Sequence, residues 1–118
     1  MSDCWCAPTP SFAAATLTGA VSYGAQVDLL QVHSDCAVSS TISYSTGDFY
    51  STWLEGSLDG VDWYLIGSGP SQGTAAPTAG TVTALTTYGL KPARYLRSAG
   101  TVGGGTGSPT VSTLITAR

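Results

Sequence analysis

The stretch WLEGSLDGVDWYLIG, Trp53 to Gly67, reads as a β-hairpin, and the class of the fold follows from it. The ascending arm, Phe49 to Ser57, alternates Phe49, Trp53 and Glu55 on one face with Tyr50, Leu54 and Gly56 on the other, the period of a strand. The descending arm is Trp63 to Ile66. Between them Asp59-Gly60 supplies the turn: Gly60 has no Cβ to oppose a positive φ, and the Asp59 carboxylate is placed to bond nearby backbone amides. The residues of this hairpin, Trp53, Glu55, Gly56, Ser57, Asp59, Gly60 and Trp63, are therefore read as structural. The acids turn and pair the chain and the tryptophans anchor it in a core, so Trp63→Ala is expected to cost about 3–5 kcal/mol.

Outward from the hairpin the same period recurs. Gln26–His33 (QVDLLQVH) has apolar residues on both faces, which predicts a central strand. Cys36–Ser45 alternates Val38, Ser40, Ile42 and Tyr44 with Ala37, Ser39, Thr41 and Ser43, a half-buried strand with a hydroxyl face. Thr46-Gly47-Asp48 then turns into the hairpin. Thr81–Tyr88, Ala93–Val102 and Thr110–Ala117 read as further strands, and Ser11–Thr18 as a weak first one. Gly67–Gly80 (GSGPSQGTAAPTAG) lacks apolar spacing and reads as a long loop, and Gly103–Pro109 as a flexible link. Residues 1–11, interrupted by Pro8 and Pro10, are expected to hold no ladder and to form an extended arm. Seven or eight strands with turns every 8 to 14 residues predict an all-β fold, a single antiparallel β-sandwich over residues 12–118.

Composition agrees. The 118 residues leave room for one domain, and charged residues make up only 9% where an average domain has about 25%. The balance is Ser, Thr, Gly and apolar residues, with few helix formers. Four Lys and Arg and a net charge of -3 cannot neutralise a run of phosphates, so nucleic acid is excluded as a partner. No stretch is long and apolar enough for a membrane span or a signal peptide, which gives the expectation of a cytoplasmic product with no membrane partner. A neutral, hydroxyl-rich surface is a poor design for a free monomer and points to assembly. The candidate contact residues are Trp5, Pro8 and Pro10 in the arm and Pro70 and Pro77 in the long loop.

No GxSxG, HExxH, P-loop or dinucleotide fingerprint is present, and GGGTG precedes a strand, so its glycines open no helix toward phosphate. Glu55, Asp59 and Asp62 crowd one hairpin, whereas a glycosidase pair faces across a groove roughly 5–9 Å wide. Neither an enzyme nor a cofactor is expected. Cys4, Cys6 and Cys36 are an odd set; with His33 they are the available zinc ligands, but Cys-x-Cys is a strained chelate, and free thiols are the simpler reading, an intersubunit disulfide the alternative. His33, with no partner constellation in sequence, reads as a strand-end side chain.

Two readings remain for the polar and aromatic residues. Glu55 on one strand and Arg94 and Arg97, flanking Tyr95, on another are suited to an Arg–carboxylate bond or stacking on a tryptophan, which locks strand register. Alternatively Trp53, Trp63, Tyr64 and Arg97 line a ligand cleft.

LEGSLDGVDWYLIGSG, then ARYLRSAGTVGGGTG and a terminal VSTLIT strand, resembles the small β-sandwich structural proteins encoded among tailed-bacteriophage virion genes, over about residues 26 to 117. That resemblance implies a virion location, most simply a capsid decoration or minor capsid protein on the head surface, with a tail or baseplate subunit as the variant. Its implied partners are the major capsid protein and further copies of itself, with a trimer as the preferred form. The turn residues Ser57, Asp59, Gly60 and Trp63 and the strand residues Ala93, Arg94, Tyr95 and Arg97 are also similar to the discoidin-like (F5/8 type C) jelly rolls. This second resemblance implies a jelly-roll-like sandwich and carbohydrate binding.

Overall fold

The computed structural model describes residues 5–89, 91–102 and 108–118. All regular structure among them is strand. Three short strands, β1 (Thr9–Pro10), β2 (Ala15–Thr16) and β3 (Ser22–Tyr23), precede seven longer ones: β4 (Val27–His33), β5 (Cys36–Tyr44), β6 (Tyr50–Ser57), β7 (Tyr64–Gln72), β8 (Gly80–Tyr88), β9 (Ala93–Val102) and β10 (Thr110–Ala117). They form two antiparallel sheets packed face to face, the predicted β-sandwich. Sheet A runs β1-β10-β5-β8 with β2 also on β10, and sheet B runs β3-β9-β6-β7 with β4 also on β9.

The alternation of the sequence decides what lies between the sheets. From sheet A, Val38, Ile42, Val111 and Ile115 point inward; from sheet B, Leu54, Ile66 and Leu96 meet them, all buried. The apolar residues gather in two clusters, one around Leu54, Leu96 and Ile115 and one around Phe12, Leu17, Ile42 and Val111. Several buried hydroxyls are tied together by hydrogen bonds in the same interior. Ser98 Oγ and Thr113 Oγ1 share a 2.7 Å bond, the Phe12 amide donates to Thr113 Oγ1 at 3.0 Å, and the Ser98 amide donates to Ser11 Oγ at 2.9 Å. Each partner satisfied here avoids the cost of a buried polar group left unpaired. Gly56 faces inward where the sheets meet closely: a Cβ there would lie 2.7 Å from Ile66 Cδ1 and 3.0 Å from the Ala93 Cβ.

Four expectations are corrected. The described part of the arm, 5–11, does hold a ladder: Thr9 and Pro10 pair with Ile115 and Leu114, and the Cys6 amide donates to the Ala117 carbonyl at 2.8 Å. Pro10 is tolerated because it sits on the sheet edge, where a missing N–H costs nothing. Ser11–Thr18 contributes only the two residues of β2, with Ala14 just before it at φ 51. β4 is an edge strand rather than a central one. Among the described residues it pairs with β9 alone, its register shifts between Asp28 and His33, and Leu30 stands at φ 67 and 79% exposed. Finally, the loop predicted for Gly67–Gly80 is seven residues shorter at its start and end: Gly67–Gln72 continue β7, and only 73–79 connect to β8. Pro70 thus lies in an edge strand, while Pro77 stays exposed in the loop. Of the flexible link expected at Gly103–Pro109, residues 103–107 fall outside the described residues, as does Cys4.

Candidate functional site

The hairpin turn is built as its residues require. Gly60 adopts φ 80. Asp59 Oδ1 accepts from the amides of Val61 (2.8 Å) and Asp62 (2.9 Å) and from Ser57 Oγ (3.0 Å), and Ser57 Oγ in turn accepts from the Gly60 amide at 2.8 Å. These donors hold the Asp59 carboxyl down at about 2, with the Asp62 and Val61 amides as the leading causes. Asp62 joins through its backbone, so the two acids of the turn form no facing pair.

On the outer face of sheet B, the strand register places Glu55 opposite Arg97. Arg97 Nε and Nη2 donate to Glu55 Oε1 at 2.9 and 2.8 Å, and Trp53 Nε1 donates to Glu55 Oε2 at 2.9 Å. The guanidinium lies between two rings, 3.9 Å from the centroid of Tyr23 and 4.1 Å from that of Trp63. The expected Arg–carboxylate bond and the expected stacking on a tryptophan are therefore both made, by Arg97. Arg94 goes elsewhere, to Asp28 on β4 at 3.1 Å, and its guanidinium lies over the Tyr95 ring at 5.1 Å. Arg94, then the Leu30 amide, lowers the Asp28 carboxyl. Tyr23, which no periodic pattern marked, reaches this cluster because the two-residue β3 pairs it with Ala99 beside Trp53.

The tryptophans correct the sequence reading. Trp53 and Trp63 are half-buried on the outer face, while Leu54 and Gly56 of the same strand take the core. The cost of Trp63→Ala accordingly falls to about 1–2 kcal/mol, a cation–π contact and part of a ring's burial. Tyr64 is separated from the other three cleft residues: it packs against the core and its hydroxyl donates to the Pro92 carbonyl. Beside Trp53 an open groove of about 460 Å³ is lined by Ser51, Trp53, Leu65, Ser68 and Ser71. Within the cluster itself, both Glu55 oxygens and the indole N–H are already engaged with one another. That is a register lock, with no free polar group among these three pointing at a ligand.

The outer face of sheet A is different in kind. Register aligns Thr110–Ser43–Thr81, Ser112–Thr41–Thr83 and Leu114–Ser39–Leu85 in three rows. Among the described residues, every charged side chain lies off this face, on sheet B and its connections or in the Asp35–Arg118 pair (3.6 Å) beyond the ends of β5 and β10. Leu85 is 72% exposed and Leu114 43%. Trp5, 41% exposed, lies at one border of this sheet with the Arg118 guanidinium 4.8 Å over its ring, and Pro8 and Pro10 are exposed along the same edge.

The remaining candidates are dispersed. Cys36 is buried in the core, where burial, then Asp35, pushes its thiol up to about 11. Cys6 is an exposed free thiol beside Ala117, the register partner of Cys36. His33 ends β4 with its Nε2 buried and without a partner. No three His, Cys, Asp or Glu side chains among the described residues gather closely enough to hold a metal ion.

The sequence matches no protein-family model, and comparison with curated proteins finds no match. Among solved structures, a chain in the structure of infectious bursal disease virus, Gx strain, is similar over 98% of this chain at a TM-score of 0.53 and 11% identity. The present chain spans 33% of that one. CBM32-3 from a family 31 glycoside hydrolase of Clostridium perfringens aligns over 84% of this chain and 75% of its own, at a TM-score of 0.41 and 14% identity. CBM32-5 of CpGH89, from the same organism and in complex with GalNAc-β-1,3-galactose, aligns over 82% and 75% at 0.42 and 10%. The last two alignments are too loose to bear on function. What the chain shares with the viral protein, at this identity, is the fold: an all-β sandwich of two antiparallel sheets.

Proposed function

We propose that the chain is a non-enzymatic virion structural protein, most simply a capsid decoration protein of a tailed phage. It acts by burying the outer face of sheet A against the major capsid protein and stabilising the contacts between shell subunits. The observation that carries this reading is the charge-free face itself. Three adjacent strands present hydroxyls and two exposed leucines with no Lys, Arg, Asp or Glu among them, so a contact here avoids the large cost of desolvating ions while the hydroxyls can hydrogen-bond across it. Stable contacts of this kind bury on the order of 1,200 Å² or more. The residues that would make an active site are, by contrast, engaged with each other at the Glu55–Arg97 lock or in the Asp59 turn. A β-sandwich occurs in the bursal disease virus structure, which suits a virion role.

Cosedimentation with purified heads of the encoding virus, followed by electron cryomicroscopy of the pelleted particles, tests this. The chain is expected in the pellet, as density on the outer shell; density on the tail would assign it there instead. A strictly monomeric protein that stays in the supernatant contradicts the proposal. The groove beside Trp53 supports a second reading, a carbohydrate-binding module, because an aromatic ring flanked by serines suits a sugar face. Quenching or shift of tryptophan fluorescence by neutral oligosaccharides, abolished in Trp53→Ala, would favour it.

A further inference from the structure

A sandwich has four open edges, and three of these carry devices that stop other strands from adding. The β10 edge is covered by two two-residue strands, one containing Pro10. The β9 edge is covered by β4, whose register shift, left-handed Leu30 and Asp28–Arg94 ion pair interrupt any regular ladder. The β7 edge has two register shifts against β6 and contains Pro70, and Lys91 Nζ donates to the Leu65 carbonyl at 2.8 Å. Bulges, prolines, short strands and lysines are the means by which edges are blunted.

β8 has none of them. Its nine residues, GTVTALTTY, pair with β5 without a register shift from Cys36↔Tyr88 to Tyr44↔Gly80. It carries no charge and no proline, and among the described residues β5 is its only partner strand. A second observation agrees. Inward-facing Val38, Ile42, Val111 and Ile115 on the neighbouring strands are buried, but Val82, Ala84 and Thr86 of β8 are only half-buried. The strand therefore lacks cover on its edge and, in part, on its inner face.

We infer that this edge is completed by the β8 of a second copy of the chain, paired antiparallel about a two-fold axis so that two A sheets run on as one. Identical uncharged edges bring no like charges together, and a two-fold contact between them is isologous and closes at two copies. A foreign strand would find no charged residue on β8 to select it. A two-fold pair differs from the trimer preferred on the neutral surface, the arm and the long loop together, and it stands whether or not the chain binds a shell. It leaves the centre of the sheet A face, around Thr41, on the surface of the dimer.

Sedimentation equilibrium of the full chain tests it, alongside a Thr83→Lys/Leu85→Lys double variant and Thr41→Lys. The wild type is expected at twice the 12.0 kDa chain mass. The β8 lysines, at exposed positions, are expected to return it to single mass and to abolish the rise of melting temperature with protein concentration that a dimer shows, and Thr41→Lys to leave the dimer intact. Hydrogen exchange should show β8 amides that become protected as concentration rises. A wild type that stays monomeric at about 0.5 mM, in the upper part of the μM–mM range in which exposed strand edges associate, overturns the inference. So does an assembly larger than two, a dimer indifferent to the β8 lysines or dispersed by Thr41→Lys, or β8 exchange independent of concentration. A dimer that ignores virus particles would leave the pairing standing and sink the decoration role; a monomer that coats them would do the reverse.

Discussion

Arg97→Ala removes the centre of the cluster on sheet B. The side chains of Arg97 and Glu55 are 21% and 16% exposed, closer to buried than to free in solvent. A hydrogen bond to a charged group is worth about 1.5–3 kcal/mol, and each ring stack adds about 0.5–1. The truncation also strands Glu55 with only the Trp53 indole as a donor. The expected loss is about 3 kcal/mol, or about 12 °C in melting temperature for a domain of this size. Glu55→Gln keeps an acceptor for the indole and should cost about 1–2 kcal/mol. Because the two residues touch, the double variant should lose less than the sum, by about 1–2 kcal/mol. Urea unfolding followed by tryptophan fluorescence reads all three, since Trp53 and Trp63 flank the pair. An Arg97→Ala variant within about 0.5 kcal/mol of wild type, or strictly additive effects, would refute the assignment of this cluster as a register lock.

Three further outcomes follow from particular groups. The Asp59 carboxyl titrates at about 2 in the folded chain, below the ordinary value near 3.9, so its contribution is complete above the unfolded value and is lost as pH falls through about 2; melts between pH 5 and 2 should show that loss, and Asp59→Asn should remove it. Thr113→Val leaves the Phe12 amide and Ser98 hydroxyl short of a partner in the core and should cost about 1–3 kcal/mol by chemical denaturation, despite the gain of a methyl group. Cys36, buried with its thiol at about 11, should resist iodoacetamide at pH 8 until the protein unfolds, whereas exposed Cys6 is labelled at once, as peptide mass spectrometry can follow.

Much of the fold is legible because alternation survives wherever one strand face is buried. β9 and β10 begin and end where the sequence pattern places them, and β5 and β8 differ by single residues. The Glu55–Arg97 bond was readable from two of the few charges in the chain lying on strands. Other features were not. Period alone divides residues between two faces without saying which is inner, and the larger rings of Trp53 and Trp63 suggested the wrong one, whereas Leu54 and close-packed Gly56 take the core. Gly67–Gln72 has little strand preference of its own and is held extended by its ladder to β6, a tertiary effect that composition does not encode. β4 looked central because both its faces are apolar, yet Leu30 and Val32 are exposed. Ser98 and Thr113 read as ordinary strand hydroxyls, and only the closeness of the sheets makes them partners.

On the proposed reading the charge-free sheet is the working surface and the aromatic cluster is structural. Cosedimentation of Thr41→Lys and Trp53→Ala with purified virus heads, side by side with the wild type, tests that division most directly. Thr41→Lys, with a charge set into the middle of sheet A, is expected to remain in the supernatant, and Trp53→Ala to pellet as the wild type does. If Thr41→Lys still binds and Trp53→Ala does not, the account is contradicted, and the groove beside Trp53 is the working surface.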